Sequence, residues 1–265
     1  MSDAIQENTD QEVLLEFPEE YIAVVRINRP KAYNALNLNV RSLIAEKFNE
    51  LKAREDIRAV ILTGNEKAFA AGADLKEMSV LSAVDYYKAH VERLYNAFAD
   101  YPRPVIAAVN GFALGGGMEL AMISDIILAG KSAKFGQPEV KVGVMPGAGG
   151  SQRLVRAVGK YNAMRMCLTG MMIGADEAKD MGLACEVLDD DQVMVRAMDM
   201  ARELAALPPL GLEHIKYAIL HGPDMSLESA LGLERKSMQV LLSSKDRAEA
   251  TAAFLEKRSA TFTGE

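Results

Sequence analysis

Two carboxylates in apolar, glycine-interrupted surroundings are the residues of this chain best placed to do chemistry. Glu119 lies within the stretch Val105–Gly130, two residues after the triplet Gly115-Gly116-Gly117. Taking an ionised carboxylate out of water costs several kcal/mol unless partners compensate, so such a residue implies a built environment. Glu139 follows Phe135-Gly136-Gln137-Pro138 and leads into apolar residues and another glycine loop. Two half-buried acids beside backbone-exposing glycines suit acid/base catalysis next to an oxyanion site. The pattern points to an enzyme.

The triplet opens a predicted helix running to about Met122. A helix start offers free N–H groups and a partial positive charge, and glycine lets a substrate approach the main chain. The small-residue segment Phe69-Ala70-Ala71-Gly72-Ala73-Asp74-Leu75-Lys76 offers a second exposed backbone, with Asp74 placed to cap a following helix.

Other motifs fail on inspection. Gly143–Gln152 has no G-K-[ST], and Gln152 stands where a dinucleotide fingerprint needs its third glycine. Arg153 occupies the glycine position that a nucleophile elbow at Ser151 requires, so the segment reads as a structural turn. His90, His214 and His221 sit in predicted helices without motifs, and no metal-ligand spacing is present.

The elements that must position these residues alternate in type. Val13–Phe17 and Ile22–Ile27 read as a hairpin around Pro18-Glu19-Glu20, and Val40–Leu51 has helical spacing of Leu43, Ile44, Phe48 and Leu51. Strands are predicted at Ala59–Leu62, Val105–Val109, Ile126–Ala129 and Lys134–Gly136. Ala68–Ala73 reads as a loop and Ser82–Asp100 as one helical segment. Alternation of strand and helix predicts an α/β fold with parallel or mixed pairing. After Pro208-Pro209 the pattern is helical only, over Leu210–His221, Ser226–Ser243 and Arg247–Lys257. The expected division is therefore a loose tail at 1–12, a core at 13–207 and a helical module at 208–265.

Bulk properties limit the remaining classes. The chain has 265 residues and a net charge of −7, which disfavours nucleic-acid binding. No uninterrupted apolar run long enough for a membrane span occurs. Cys167 and Cys185 lack ligand spacing, and the N-terminus is acidic and polar; reduced structural thiols and a cytoplasmic location are expected.

Taken together, Asn28–Leu36 (NRPKAYNAL), Phe69–Leu75 (FAAGADL), Ala113–Ala121 (ALGGGMELA), Phe135–Val140 (FGQPEV), Pro146–Leu154 (PGAGGSQRL) and Ala253–Arg258 (AFLEKR) resemble the enoyl-CoA hydratase (crotonase) family. The resemblance covers nearly everything after residue 12. It implies a spiral of ββα units, a C-terminal helical trimerisation region and a homo-hexamer built as a dimer of trimers. It implies that the Ala73 and Gly116 amides hold the thioester oxygen of an acyl-CoA substrate. Glu119 would activate water and Glu139 would exchange the proton at C2, without metal or redox cofactor. By the same resemblance Lys31, Ala32, Ala71, Asp74, Leu75 and Lys76 line the coenzyme A path, with Phe254 and Lys257 reaching in from a neighbouring subunit. Tyr33 and Ser151 are mild departures from the family pattern. Retention of both acids favours hydration over the alternatives, double-bond isomerisation within the family or a non-catalytic, RNA-binding member.

Overall fold

The computed structural model describes residues 11–265. The expected tail therefore lies outside the described residues except for Gln11 and Glu12. Those two are tied down: the Asn28 amide donates to the Glu12 carbonyl at 2.8 Å, and Arg29 pairs with the Glu12 carboxylate at 2.6 Å.

Among the described residues ten strands form two sheets. The larger has the order β1 (Val13–Glu19), β2 (Ile22–Ile27), β3 (Ala59–Thr63), β5 (Val105–Val109), β7 (Ile126–Gly130) and β10 (Glu186–Leu188). The smaller has β4 (Ala68–Ala70), β6 (Phe112–Leu114), β8 (Lys134–Gly136) and β9 (Met172–Gly174). Only β1–β2 and β8–β9 pair antiparallel; the other ladders are parallel. Three successive strand pairs, β3–β4, β5–β6 and β7–β8, each place one strand in each sheet. A helix follows each pair, so the chain advances as a spiral of ββα turns.

The larger sheet is buried on both faces, which is why its strands read as near-continuous apolar runs. Ile22, Val24, Ala59, Ile61, Ile106, Ala108 and Leu128 face α8 (Val193–Ala205). That helix presents Val193, Ala197, Ala201 and Ala205 at fourfold spacing, small enough for close approach. The alternate residues, among them Val25, Val60, Leu62, Ala107 and Val109, join the main core. Into that core also pack α1 (Leu38–Lys52) and α4 (Val91–Ala99), the latter through Tyr95 and Phe98.

Two sequence readings need correction. Ala68–Ala70 is a buried strand, not a loop, because its small side chains pair with β6 inside the protein. The segment Ser82–Asp100 is not one helix but α3 (Ala83–Lys88) and α4, divided at His90, whose φ of 47° cannot continue a right-handed helix. Short helix α2 (Leu75–Met78) precedes them.

After Pro208 come α9 (Pro209–His221), α10 (Leu227–Leu241) and α11 (Lys245–Glu256), preceded in the core by α5 (Gly116–Ile123), α6 (Gly150–Thr169) and α7 (Ala175–Asp180). Lys216 of α9 fixes this region to the core by donating to Asp125 at 2.8 Å and to the Arg103 carbonyl at 2.9 Å.

Candidate active site

The site is assembled where β6 turns into α5. Gly115 closes that turn at φ 50°, ψ −122°, outside the range of residues bearing a side chain. Gly117 lets α5 lie directly on β4, since a β-carbon there would stand 2.0 Å from the Ala70 carbonyl oxygen. The same short turn leaves Glu119 in the first helical turn, 3% exposed.

Two main-chain amides hold its carboxylate. Ala148 and Gly150 each donate to Glu119 Oε1 at 2.7 Å. Among the described residues Oε2 accepts no hydrogen bond, so one oxygen is anchored and the other is free for a ligand or water. Burial pushes the Glu119 carboxyl above its ordinary value; the Gly150 and Ala148 amides and the charges of Arg41 and Arg153 pull it back.

Glu139 opens a short 3₁₀ turn after Pro138 and is half-buried. Its carboxylate sits against Gly115, and the fully buried Gln137, with its side-chain amide turned so that the nitrogen faces the carboxylate, donates to Oε1 and Oε2 at 3.0 and 3.2 Å. Burial raises its pKa to about 7; its own amide lowers it, and the Glu119 charge raises it further.

Both acids line one cavity of about 770 Å³. Ala71, Ala73, Leu75 and Gly116 line it too. Among the described residues neither the Ala73 nor the Gly116 amide has a hydrogen-bond partner, although their neighbours do: Gly115 donates to Gly136, and Asp74 to Leu36. Gly116 stands at the positive end of α5. Two unpaired donors beside two acids can stabilise a developing oxyanion while protons move nearby.

The remaining predicted residues lie outside the cavity wall. Lys31 and Ala32 occupy a 3₁₀ turn, Pro30–Ala32, that the chain joins to the Ala71–Asp74 loop: Ala71 donates to the Tyr33 carbonyl and Leu36 to that of Gly72. Asp74 is engaged structurally, accepting from Arg29 at 3.2 Å and capping α2 through the Lys76 and Glu77 amides. Lys76 is exposed. Phe254 is 83% exposed on α11, and Lys257 ends that helix in a left-handed conformation.

Sequence reasoning missed several components. The Gly143–Gln152 segment, read as a turn, supplies both donors to Glu119. Arg41, not singled out in the sequence, lines the cavity, and so does Tyr95. Gln137 carried one visible signal, its place two residues before Glu139.

Comparisons with known proteins bear on the family and the fold. The family model described as enoyl-CoA hydratase/isomerase matches residues 18–265. A probable enoyl-CoA hydratase of Rhizobium meliloti is 43% identical, over 95% of this chain and 98% of its own length. The 2,3-dehydroadipyl-CoA hydratase of Escherichia coli is 39% identical, over 93% and 96%. Among solved structures, an enoyl-CoA hydratase from Bacillus anthracis superposes with a TM-score of 0.93 at 34% identity, covering 96% of this chain and all of that one. A match spanning both acids, both glycine-bearing loops and the helical C-terminal region places this chain in the enoyl-CoA hydratase/isomerase family, with the crotonase fold.

Proposed function

We propose that this protein catalyses reversible syn addition of water to a trans-2-enoyl-CoA, giving the 3-hydroxyacyl-CoA. The observation that carries this reading is the meeting of Glu119 and Glu139 on one cavity wall beside the unpaired Ala73 and Gly116 amides. The thioester oxygen accepts from those two amides. Glu119 Oε2 takes a proton from water as the water oxygen bonds to C3. The electron pair of the C2–C3 bond moves toward the thioester oxygen, where both amides stabilise the enolate. Glu139, held protonated near neutrality by burial, then gives its proton to C2. Donors already aimed at the oxyanion favour the transition state over the ground state, a gain on the scale of about 10²–10³ in rate per donor.

Coenzyme A would extend along Ala71–Lys76 and the adjoining Lys31–Ala32 turn, outside the cavity mouth. A homo-hexamer, as a dimer of trimers, is consistent with the apolar side chains that α9–α11 leave exposed, including Ile215, Ile219, Leu227 and Leu255. Phe254 and Lys257, outside this chain's own cavity wall, would then serve a neighbouring subunit. A cytoplasmic setting fits the free thiols, of which Cys185 is exposed and Cys167 half-buried. No helix among the described residues is long and apolar enough to cross a membrane.

The test is a spectrophotometric assay following loss of the conjugated enoyl-thioester absorbance with trans-2-enoyl-CoA, run beside a 3-enoyl-CoA. Hydration of the first supports the reading. Conversion only of the 3-enoyl compound to its 2-enoyl isomer would replace it with isomerisation.

A further inference from the structure

Tyr95 carries a buried hydroxyl that the fold itself does not use. Along α4 the buried positions are Val91, Tyr95 and Phe98, and Phe98 stacks on Phe48 of α1 with ring centroids 4.4 Å apart. An aromatic ring is enough for that face, so the phenol oxygen is surplus to packing. Tyr95 is 7% exposed, and among the described residues its hydroxyl makes no hydrogen bond. A buried tyrosine O–H usually has a partner, because an unmet donor forfeits the hydrogen bonds it made with water.

The surroundings of the hydroxyl define that partner. A β-carbon built on Gly116 would lie 3.1 Å from Tyr95 Oη, 3.3 Å from Leu36 Cδ1 and 3.9 Å from Glu119 Oε2. The phenol thus stands beside Gly116 on the same side as Oε2, the Glu119 oxygen that neither Ala148 nor Gly150 holds. Leu36 between them offers no acceptor. Tyr95 and Glu119 line one cavity with Ala73, Glu139 and Arg41. Burial pushes the Tyr95 phenol up; the Arg41 charge opposes this, and Glu119, Tyr86 and Glu139 reinforce it. The hydroxyl is therefore neutral wherever Glu119 is ionised, and it can donate a hydrogen bond without acting as a base.

We propose that Tyr95 holds the attacking water. Its O–H donates to the water oxygen while that water donates one hydrogen to Glu119 Oε2, and the two bonds together direct the remaining lone pair at C3. Glu119 takes the proton as the oxygen bonds to C3, and in dehydration it returns that proton to the departing oxygen. Tyr95 keeps its own proton in both directions. The assignment rests on the hydratase reading and adds to it a residue that acts on the water, not on the thioester or on C2.

Tyr95→Phe removes the oxygen and keeps the ring. With trans-but-2-enoyl-CoA its kcat for hydration is expected to fall about tenfold or more, while KM stays within about twofold. Exchange of the C2 hydrogens of butyryl-CoA in deuterated water, followed by NMR, needs Glu139 and the amides but no water at C3. That exchange should run equally in both proteins. The acid limb of kcat/KM, set by ionisation of Glu119, should stay in place. Urea unfolding should show Tyr95→Phe no less stable than the unsubstituted protein, since the hydroxyl has no partner in the fold. An unchanged kcat would overturn the proposal, as would C2 exchange slowed in parallel with hydration. A shift of the acid limb to higher pH would show that the phenol donates to Glu119 itself, and a loss of stability would make its role structural; either overturns the proposal. If the unsubstituted protein exchanges C2 hydrogens but hydrates no enoyl-CoA, the hydratase reading falls and takes this assignment with it. Hydration that is indifferent to Tyr95→Phe removes the Tyr95 assignment alone.

Discussion

Gly115 and Glu139 share a space that admits no side chain between them: a β-carbon on Gly115 would lie 2.8 Å from Glu139 Oε1. One residue later, a β-carbon on Gly116 would lie 3.9 Å from Glu119 Oε2. The two glycines therefore run between the acids, and the main chain itself forms the floor on which a thioester would rest.

Replacing Gly115 by Ala should impair turnover more than folding. It adds the strain of a backbone conformation closed to residues with a β-carbon, about 1–3 kcal/mol, and displaces the Glu139 carboxylate. Gly117→Ala should do the reverse, because its β-carbon meets the Ala70 carbonyl and not an acid. A loss of about 1–3 kcal/mol in urea unfolding is expected there. Equal effects of the two substitutions on both stability and rate would contradict this division.

Glu119→Gln and Glu139→Gln should each lower kcat by about 10²–10⁴ while acyl-CoA binding persists. In Glu119→Gln the side-chain amide keeps an oxygen that can accept from Ala148 and Gly150, so the local fold survives. Calorimetric titration with a saturated acyl-CoA separates lost chemistry from lost binding. Full activity in either variant would remove that residue from the mechanism.

The pH profile should reflect one proton held by the pair. In the proposed mechanism, addition of water needs Glu119 ionised and Glu139 protonated; the reverse reaction needs the opposite, with the same total proton count. Hydration and dehydration must then share one bell-shaped profile of kcat/KM, with an alkaline limb beginning near pH 7, where Glu139 loses its proton. Stability follows the same sign. A carboxyl raised from 4.5 to about 7 binds its proton more tightly in the folded state. Its contribution is complete below pH 4.5 and is lost as pH rises through 7. Chemical denaturation across that range, with Glu139→Gln as reference, measures it.

Lys216 and Asp125 form a largely buried pair, 10% and 18% exposed, that secures α9 to the core. Burial pushes the lysine down and the aspartate up, and each opposes the other's shift. Lys216→Met alone leaves Asp125 uncompensated and should cost about 3 kcal/mol. Adding Asp125→Asn should restore much of that loss, as a double-mutant cycle in urea would show.

Much of the framework was legible in residue order. Val25, Ile61, Ala107 and Leu128 lie in near-continuous apolar runs, and such runs mark strands buried on both faces. The glycine triplet marks the start of α5, and Glu119 is conspicuous as a charge among apolar residues. Less was legible where tertiary burial overrides local composition. Ala68–Ala70 is too small-chained to look like a strand, yet it pairs with β6. In sequence Arg41 is one of the polar residues between the apolar positions of α1, and its burial follows only from the packing of the folded chain.

The order of amino acids by itself determined the two acids, the glycines that expose the backbone beside them, and the alternation that builds the spiral. Each is a local property, set by side-chain size, charge and spacing. Tertiary structure alone decided which amides anchor Glu119, that Gln137 addresses Glu139, and that Arg41 lines the cavity holding both acids. Those relations join segments distant in sequence, and a hydrogen bond or a shared cavity wall exists only once the fold has fixed the distance between them.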